Sequence, residues 1–218
     1  FTDIPHERGM LTALHGALGT RLGSAGSVEF FGGNHPTSAK SLPSCNAMYS
    51  SKVFKLSGGF DESLRYCEDS CVNARIRRRG LRLAYTPKAV IHHEHRNSVG
   101  QFVRWMFDYG TGRGVAMKRD RGAVTFPTIL LVLVPLLILS LAFWRVFPLD
   151  ILLISTLAIY FGIDIVAALT KTRRPQEDTL LYAASYPVIH FSYIAGLARG
   201  LVRRRPGPQV RSSSVSHV

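Results

Sequence analysis

The groups able to do chemistry gather in the middle of the chain. Glu68 and Asp69 stand together at the start of E-D-S-C-V-N-A-R-I-R-R-R-G, a segment that reads as a helix. Paired carboxylates there can accept a proton, and they also complement the positive end of the helix dipole, as the arginines suit its other end. Gly80 is the expected stop. His92, His93 and His95 lie at a predicted strand end, where His93 and His95 share one face and His92 takes the other. Imidazoles alone do not make a site for a divalent ion on a diphosphate, which wants carboxylate oxygens as well. Ser98-x-x-Gln101 forms a capping box that opens a further helix. Arg104 and Trp105 on that helix offer a fixed cation and an aromatic plate, a pair that membrane anchoring also favours. Asn46, Tyr49, Asp61 and Glu62 flank the Gly58-Gly59 turn and read equally well as ordinary turn and strand residues.

These groups need elements to hold them. Residues 1 to 43 show one short helical candidate, Met10 to Leu18, in a stretch rich in Gly, Ser and His. Leu81 to Tyr85 and Ala89 to His93 read as short strands around Thr86-Pro87-Lys88. In the capped helix Phe102, Trp105, Met106 and Tyr109 fall on one face, which suits a membrane surface. Gly110, Gly112 and Gly114 are expected to loosen the chain after it, as in a linker.

The chain has 218 residues, 46% of them hydrophobic, which excludes disorder throughout and provides for one domain and a second small unit. Its formal charge of +13 implies an anionic partner. Residues 1 to 123 carry 18 basic and 10 acidic groups and the remainder 9 and 4, so no single basic stripe exists and nucleic acid is not an expected partner. Cys45, Cys67 and Cys71 form no C-x-x-C pair, and reduced thiols are expected.

Val124 to Trp144 is a 21-residue run without a charge, long enough to span roughly 31 Å. Leu149 to Leu169 follows after a short turn and carries one charge, Asp164, so the two make an antiparallel transmembrane hairpin. Asp164 lies within about five residues of the boundary and is expected to reach water or to pair with Lys171 or Arg173. Basic residues at both ends of the hairpin place the N-terminal body in the cytoplasm. A third apolar stretch, Thr179 to Val202, ends at Arg203 to Arg205 and reads as an interfacial helix or a third span, with the former slightly favoured. The tail from 203 is basic and expected to be disordered.

The series N-A-M-Y, G-G-F-D-E-S-L, E-D, P-K-A-V-I-H-H-E-H-R and Q-F-V-R-W, followed by the apolar hairpin, resembles the C-terminal part of a membrane-anchored family 2 glycosyltransferase over roughly residues 10 to 200. The resemblance implies an α/β fold: an incomplete GT-A-like, Rossmann-like catalytic body, a transmembrane helical hairpin and a third apolar membrane-associated helix. In domains, 1–97 would be the acceptor-side half, 98–122 an amphipathic interfacial helix and linker, 123–202 the transmembrane region and 203–218 the tail. It further implies Asp69 as catalytic base with Glu68 orienting it, His93 near a metal and diphosphate, and Gln101, Arg104 and Trp105 against donor and acceptor as in the Q-x-x-R-W pattern of cellulose and hyaluronan synthases. Asn46, Tyr49, Asp61 and Glu62 would shape the acceptor side. Cys71 and Val72 stand where the family often has a further acid followed by Leu.

The implied reaction is inverting transfer of a sugar from a nucleotide-sugar donor to a lipid-linked or envelope polysaccharide acceptor, at the cytoplasmic face of a multi-pass protein of the cell membrane. Membrane lipids are then partners too. The family holds Mg²⁺ or Mn²⁺ on a D-x-D that this chain lacks, so the donor-binding half is expected upstream of Phe1 and the chain by itself is expected to be inactive. The competing expectation is a non-catalytic membrane scaffold with a degenerate glycosyltransferase fold.

Overall fold

The computed structural model describes residues 9–24, 36–91, 96–120, 123–124, 147–171 and 177–203. These are mostly helical and include one small sheet. Helix α1 (Met10–Leu18) forms where the short apolar run predicts it, and a one-turn helix α2 (Arg21–Ser24) follows. Thr20 shapes the corner between them: its hydroxyl donates to the Ala17 carbonyl at 2.6 Å and accepts the Gly23 N–H at 3.0 Å.

Strand β1 (Thr37–Ala39) pairs antiparallel with β2 (Leu83–Tyr85), Thr37 opposite Tyr85 and Ala39 opposite Leu83. The partner of β2 is therefore upstream, and residues 89–91 are not a strand. Between β1 and β2 run a 3₁₀ turn at Ser44–Asn46, helix α3 (Ser51–Leu56) and helix α4 (Glu68–Arg78). Tyr49 thus precedes a helix and is not on a strand. Gly58 and Gly59 make the expected turn, both at positive φ, and α4 holds it through Arg75, whose Nε donates to the Ser57 carbonyl at 2.6 Å.

Helix α4 is amphipathic in two directions. Val72 and Ile76 pack with Ala39 and Leu83 of the sheet, while Cys67 and Cys71 face Val115 and Ala116. Asn73 is fully buried yet satisfied, donating to Ser41 Oγ at 2.9 Å and the Leu42 carbonyl at 2.7 Å and accepting from the Tyr49 hydroxyl at 2.9 Å. A buried amide is tolerated on those terms.

Helix α5 (Val99–Arg119) starts at Ser98, whose hydroxyl accepts the Gln101 N–H at 3.2 Å. It does not end at the glycines; it runs straight through them. Gly110 and Gly114 serve contact with helix α7 (Glu177–Val202): Gly110 meets the backbone of Tyr193 and Leu197, and Gly114 meets Gly200. A Cβ on Gly110 would overlap the Tyr193 carbonyl oxygen, and one on Gly196 the Phe107 carbonyl oxygen. Small residues four apart on both helices let the backbones touch, the packing familiar in membrane helices. Gly112 points the other way, where a Cβ would stand 2.6 Å from that of Tyr66.

The apolar face of α5 accordingly lies on protein. Phe102 and Met106 pack with Leu14, Ala17 and Leu18 of α1 and with Tyr186, Ile189, Tyr193 and Leu197 of α7. Helix α6 (Phe147–Lys171) packs on α7 and exposes Ile151, Ile154, Ile159, Ile163, Val166 and Leu169. Thr179–Val202, within α7 and continuous through Pro187, is long and apolar enough to cross a membrane; Ile154–Leu169 of α6 is a shorter apolar helix. Except for Val124, the first apolar run lies outside the described residues, as does the tail from 204. Asp164 does not reach water: it is 1% exposed, with neither carboxylate oxygen hydrogen-bonded.

Candidate functional site

The acidic pair opens α4 from an unusual backbone. Cys67, the residue before it, adopts a left-handed conformation (φ 65°, ψ 17°) that non-glycine residues rarely take. Burial over-determines it: Cys67 packs with Leu64, Cys71 and Val115, and its Sγ lies 3.8 Å from the Tyr109 carbonyl oxygen on α5.

Glu68 and Asp69 are half-buried and engaged from one side by Ser44. The Ser44 N–H donates to Asp69 Oδ2 at 3.2 Å and its hydroxyl to Glu68 Oε1 at 3.0 Å. Asp69 Oδ1 accepts the Ser70 N–H at 2.5 Å. Asp69 thus satisfies one N–H of its own helix, and the pair anchors the 3₁₀ turn that contains Asn46. Asn46 Nδ2 in turn donates to the Ala89 carbonyl at 2.9 Å. Burial first, and the Asp69 charge second, raise the Tyr49 hydroxyl above its ordinary value, so Tyr49 stands in the field of the pair.

On the α5 side, Arg113 reaches over the Tyr109 ring, 5.8 Å from its centroid, and donates to the Tyr109 hydroxyl at 3.3 Å. Its buried Nε has no hydrogen bond. Burial, with Cys67 beside it, pushes the Tyr109 hydroxyl well above the phenol range, so it accepts as a neutral group. Trp105 lies one turn earlier, half-buried against Phe102, with the Arg96 guanidinium 5.1 Å from its ring centroid.

Asn46, Tyr49, Glu68 and Asp69 therefore come together, and Tyr109 connects them to the turn of α5 that carries Trp105. Other expected residues are spent elsewhere. Gln101 accepts the Asn97 N–H at 3.3 Å as part of the helix cap. Arg104 is exposed. Asp61 accepts from the Ser63 N–H at 3.1 Å and from Arg119 at the far end of α5, which makes it a tie between that turn and the helix. Glu62 is exposed. His93, with His92 and His95, lies outside the described residues.

Ser44, the left-handed Cys67, Tyr109 and Arg113 escaped the sequence reading. A serine has no signature of its own, and αL geometry is foreseen for Gly or Asn, not Cys. Among the described residues no three His, Cys, Asp or Glu side chains gather to hold a metal, and the Glu68–Asp69 pair alone does not fit Mg²⁺ or Mn²⁺. The arrangement can place a half-buried carboxylate pair near two tyrosines, Tyr49 and Tyr109, next to a helix packed on an apolar one. Compared with protein-family models, curated proteins and solved structures, the chain finds no match.

Proposed function

We propose that this chain is the acceptor-side half and membrane anchor of an inverting glycosyltransferase with a GT-A-like body. It would take sugar from a nucleotide donor to a lipid-linked or envelope polysaccharide acceptor at the cytoplasmic face of the cell membrane. The observation that carries this reading is the Cys67–Tyr109 contact, which sets the start of α4, where Glu68 and Asp69 stand, against α5, a helix seated backbone to backbone against α7.

In this reading the acceptor hydroxyl attacks the anomeric carbon, its proton passes to the Asp69 carboxylate, and the bond to the nucleoside diphosphate breaks on the opposite face. The Ser44 and Ser70 N–H groups hold the base in position, and the Ser44 hydroxyl holds Glu68 beside it. Trp105 supports the sugar ring, and Arg104 and Arg113 supply positive charge toward the diphosphate. The ligands of a divalent ion belong to the upstream donor half. The apolar surface of α6 and α7, with the run at 124–144, supplies a multi-pass anchor.

The test is sugar transfer by membranes carrying the full-length protein. Asp69→Asn should lower the rate by about 10²–10⁴-fold while the protein stays folded and membrane-bound. A non-catalytic scaffold, favoured by the structural employment of Asn46, Asp61 and Gln101, would keep its cellular activity in that variant.

A further inference from the structure

A second set of polar groups lies between α6 and α7 and takes no part in the reading above. Asp164 is buried in this contact with both carboxylate oxygens lacking a hydrogen bond. Among the described residues no ion pair reaches it. One turn earlier on α6, the Tyr160 hydroxyl lies beside this carboxyl, yet its bond is directed at His190 Nδ1 on α7, 2.9 Å away. On the other edge of the ring, His190 Nε2 is 3.2 Å from the Leu22 carbonyl oxygen of α2.

The partners fix the hydrogens. A carbonyl only accepts, so Nε2 carries the imidazole hydrogen; in the neutral ring Nδ1 is then an acceptor, and Tyr160 donates to it. The Tyr160 oxygen thus turns lone pairs toward Asp164. Among the described residues, the Tyr186 hydroxyl, buried without a hydrogen bond, lies in the field of the carboxyl with Thr20 beside it, whose hydroxyl is committed to the Ala17 carbonyl. An ionised Asp164 would have the Tyr186 hydroxyl as its one uncommitted donor in an apolar helix contact, and a charge so poorly solvated is costly. A protonated one has a donor for the Tyr160 oxygen and completes the series Asp164 to Tyr160 to His190 to the Leu22 carbonyl.

We propose that Asp164, Tyr160 and His190 form a proton-binding site with Asp164 as the seat of the proton. The site joins α6 to α7 and α2, and loss of its proton puts a bare charge into that joint. A metal cation is not provided for, since it would want several oxygen ligands and Asp164 is the one carboxylate among these groups. The inference is independent of sugar transfer.

The experiment uses the full chain in lipid nanodiscs with ¹³C-carboxyl aspartate and ¹⁵N histidine. Infrared spectra at mildly acidic pH should contain a protonated carboxylic C=O band that is lost in Asp164→Asn and shifted in Tyr160→Phe. Replacing Na⁺ by choline should leave it unchanged, and the nitrogen spectrum of His190 should be that of a neutral Nε2–H ring. Absence of the band, its persistence in Asp164→Asn, its dependence on Na⁺ or an imidazolium at His190 would each overturn the proposal. Should Asp164→Asn fail to fold, the Tyr160→Phe shift and the His190 spectrum still decide.

Discussion

Gly196 and Phe107 meet backbone to backbone: a methyl group at 196 would overlap the Phe107 carbonyl oxygen. Neither partner is a side chain, so no rotamer change relieves the clash. Gly196→Ala and Gly110→Ala should each destabilise the α5–α7 pair by about 1–3 kcal/mol, and leucine at either position by more. Thermal unfolding in detergent measures this. Gly100→Ala, where an added Cβ meets nothing, is the control and should leave the midpoint unchanged or raised.

The thiols should divide by environment. Cys45 is exposed whereas Cys67 and Cys71 are buried, and burial pushes their thiols up to about 12 and about 11 respectively. Thiolate is the reactive form, so alkylation of the native protein at neutral pH should modify one cysteine, and all three after denaturation. The same shifts set an alkaline limit. A raised thiol contributes stability that is complete below its ordinary value of 9.0 and is lost as pH climbs toward 12. For Cys67 the slope reaches at most about 1.4 kcal/mol per pH unit.

Asp61 sets an acid limit of opposite sign. Burial pushes its carboxyl up, but the Ser63 hydroxyl and Arg119 outweigh burial and hold it below its ordinary 3.8. Its contribution is present above that value and fades as pH falls below it. Arg119→Met should remove about 0.2–1 kcal/mol at neutral pH, with the deficit closing as both proteins are acidified.

Asn73 and Tyr49 give a test of the packing around the acidic pair. Tyr49→Phe removes one hydroxyl and should cost about 0.5–1.5 kcal/mol in chemical unfolding. Asn73→Ala, which leaves the Leu42 carbonyl and the Tyr49 hydroxyl unpaired, should cost more.

The exposed apolar side of α6 predicts lipid contact. Ile163 and Val166 are 52% and 60% exposed, and aspartate at either should weaken insertion by about 2.5–3.5 kcal/mol if the helix spans the bilayer. Flotation with liposomes reads the change. Unaltered flotation would mean that this side faces water or another chain.

Much of the helical part was legible. Met10 to Leu18, the acid-to-arginine polarity of α4 with its Gly80 stop, and the Ser98 cap are local signals, and local energies decide them. The glycines of α5 were misread because glycine breaks helices by default, and only Gly196 and Gly200, more than 80 residues away, turn Gly110 and Gly114 into contacts. Strand β1 is three residues long and shows no alternation. Asp164 was misplaced because its distance from the end of an apolar run says nothing of the direction in which the side chain faces. At the candidate site the carboxylate pair was visible as a helix start, but the Ser44 bonds depend on a turn that the sequence leaves open, and Gln101 and Asp61 meet local needs before any ligand's.

Helix α5 is shared: one side bears the turn at Cys67, and the other meets α7 backbone to backbone at Gly196 and Gly200, where no rotamer change can absorb movement. Lipids of different thickness tilt spanning helices to different degrees. If α7 spans, a change in its slope is passed through these backbone contacts to α5 and on to the turn that carries the carboxylates at 68 and 69.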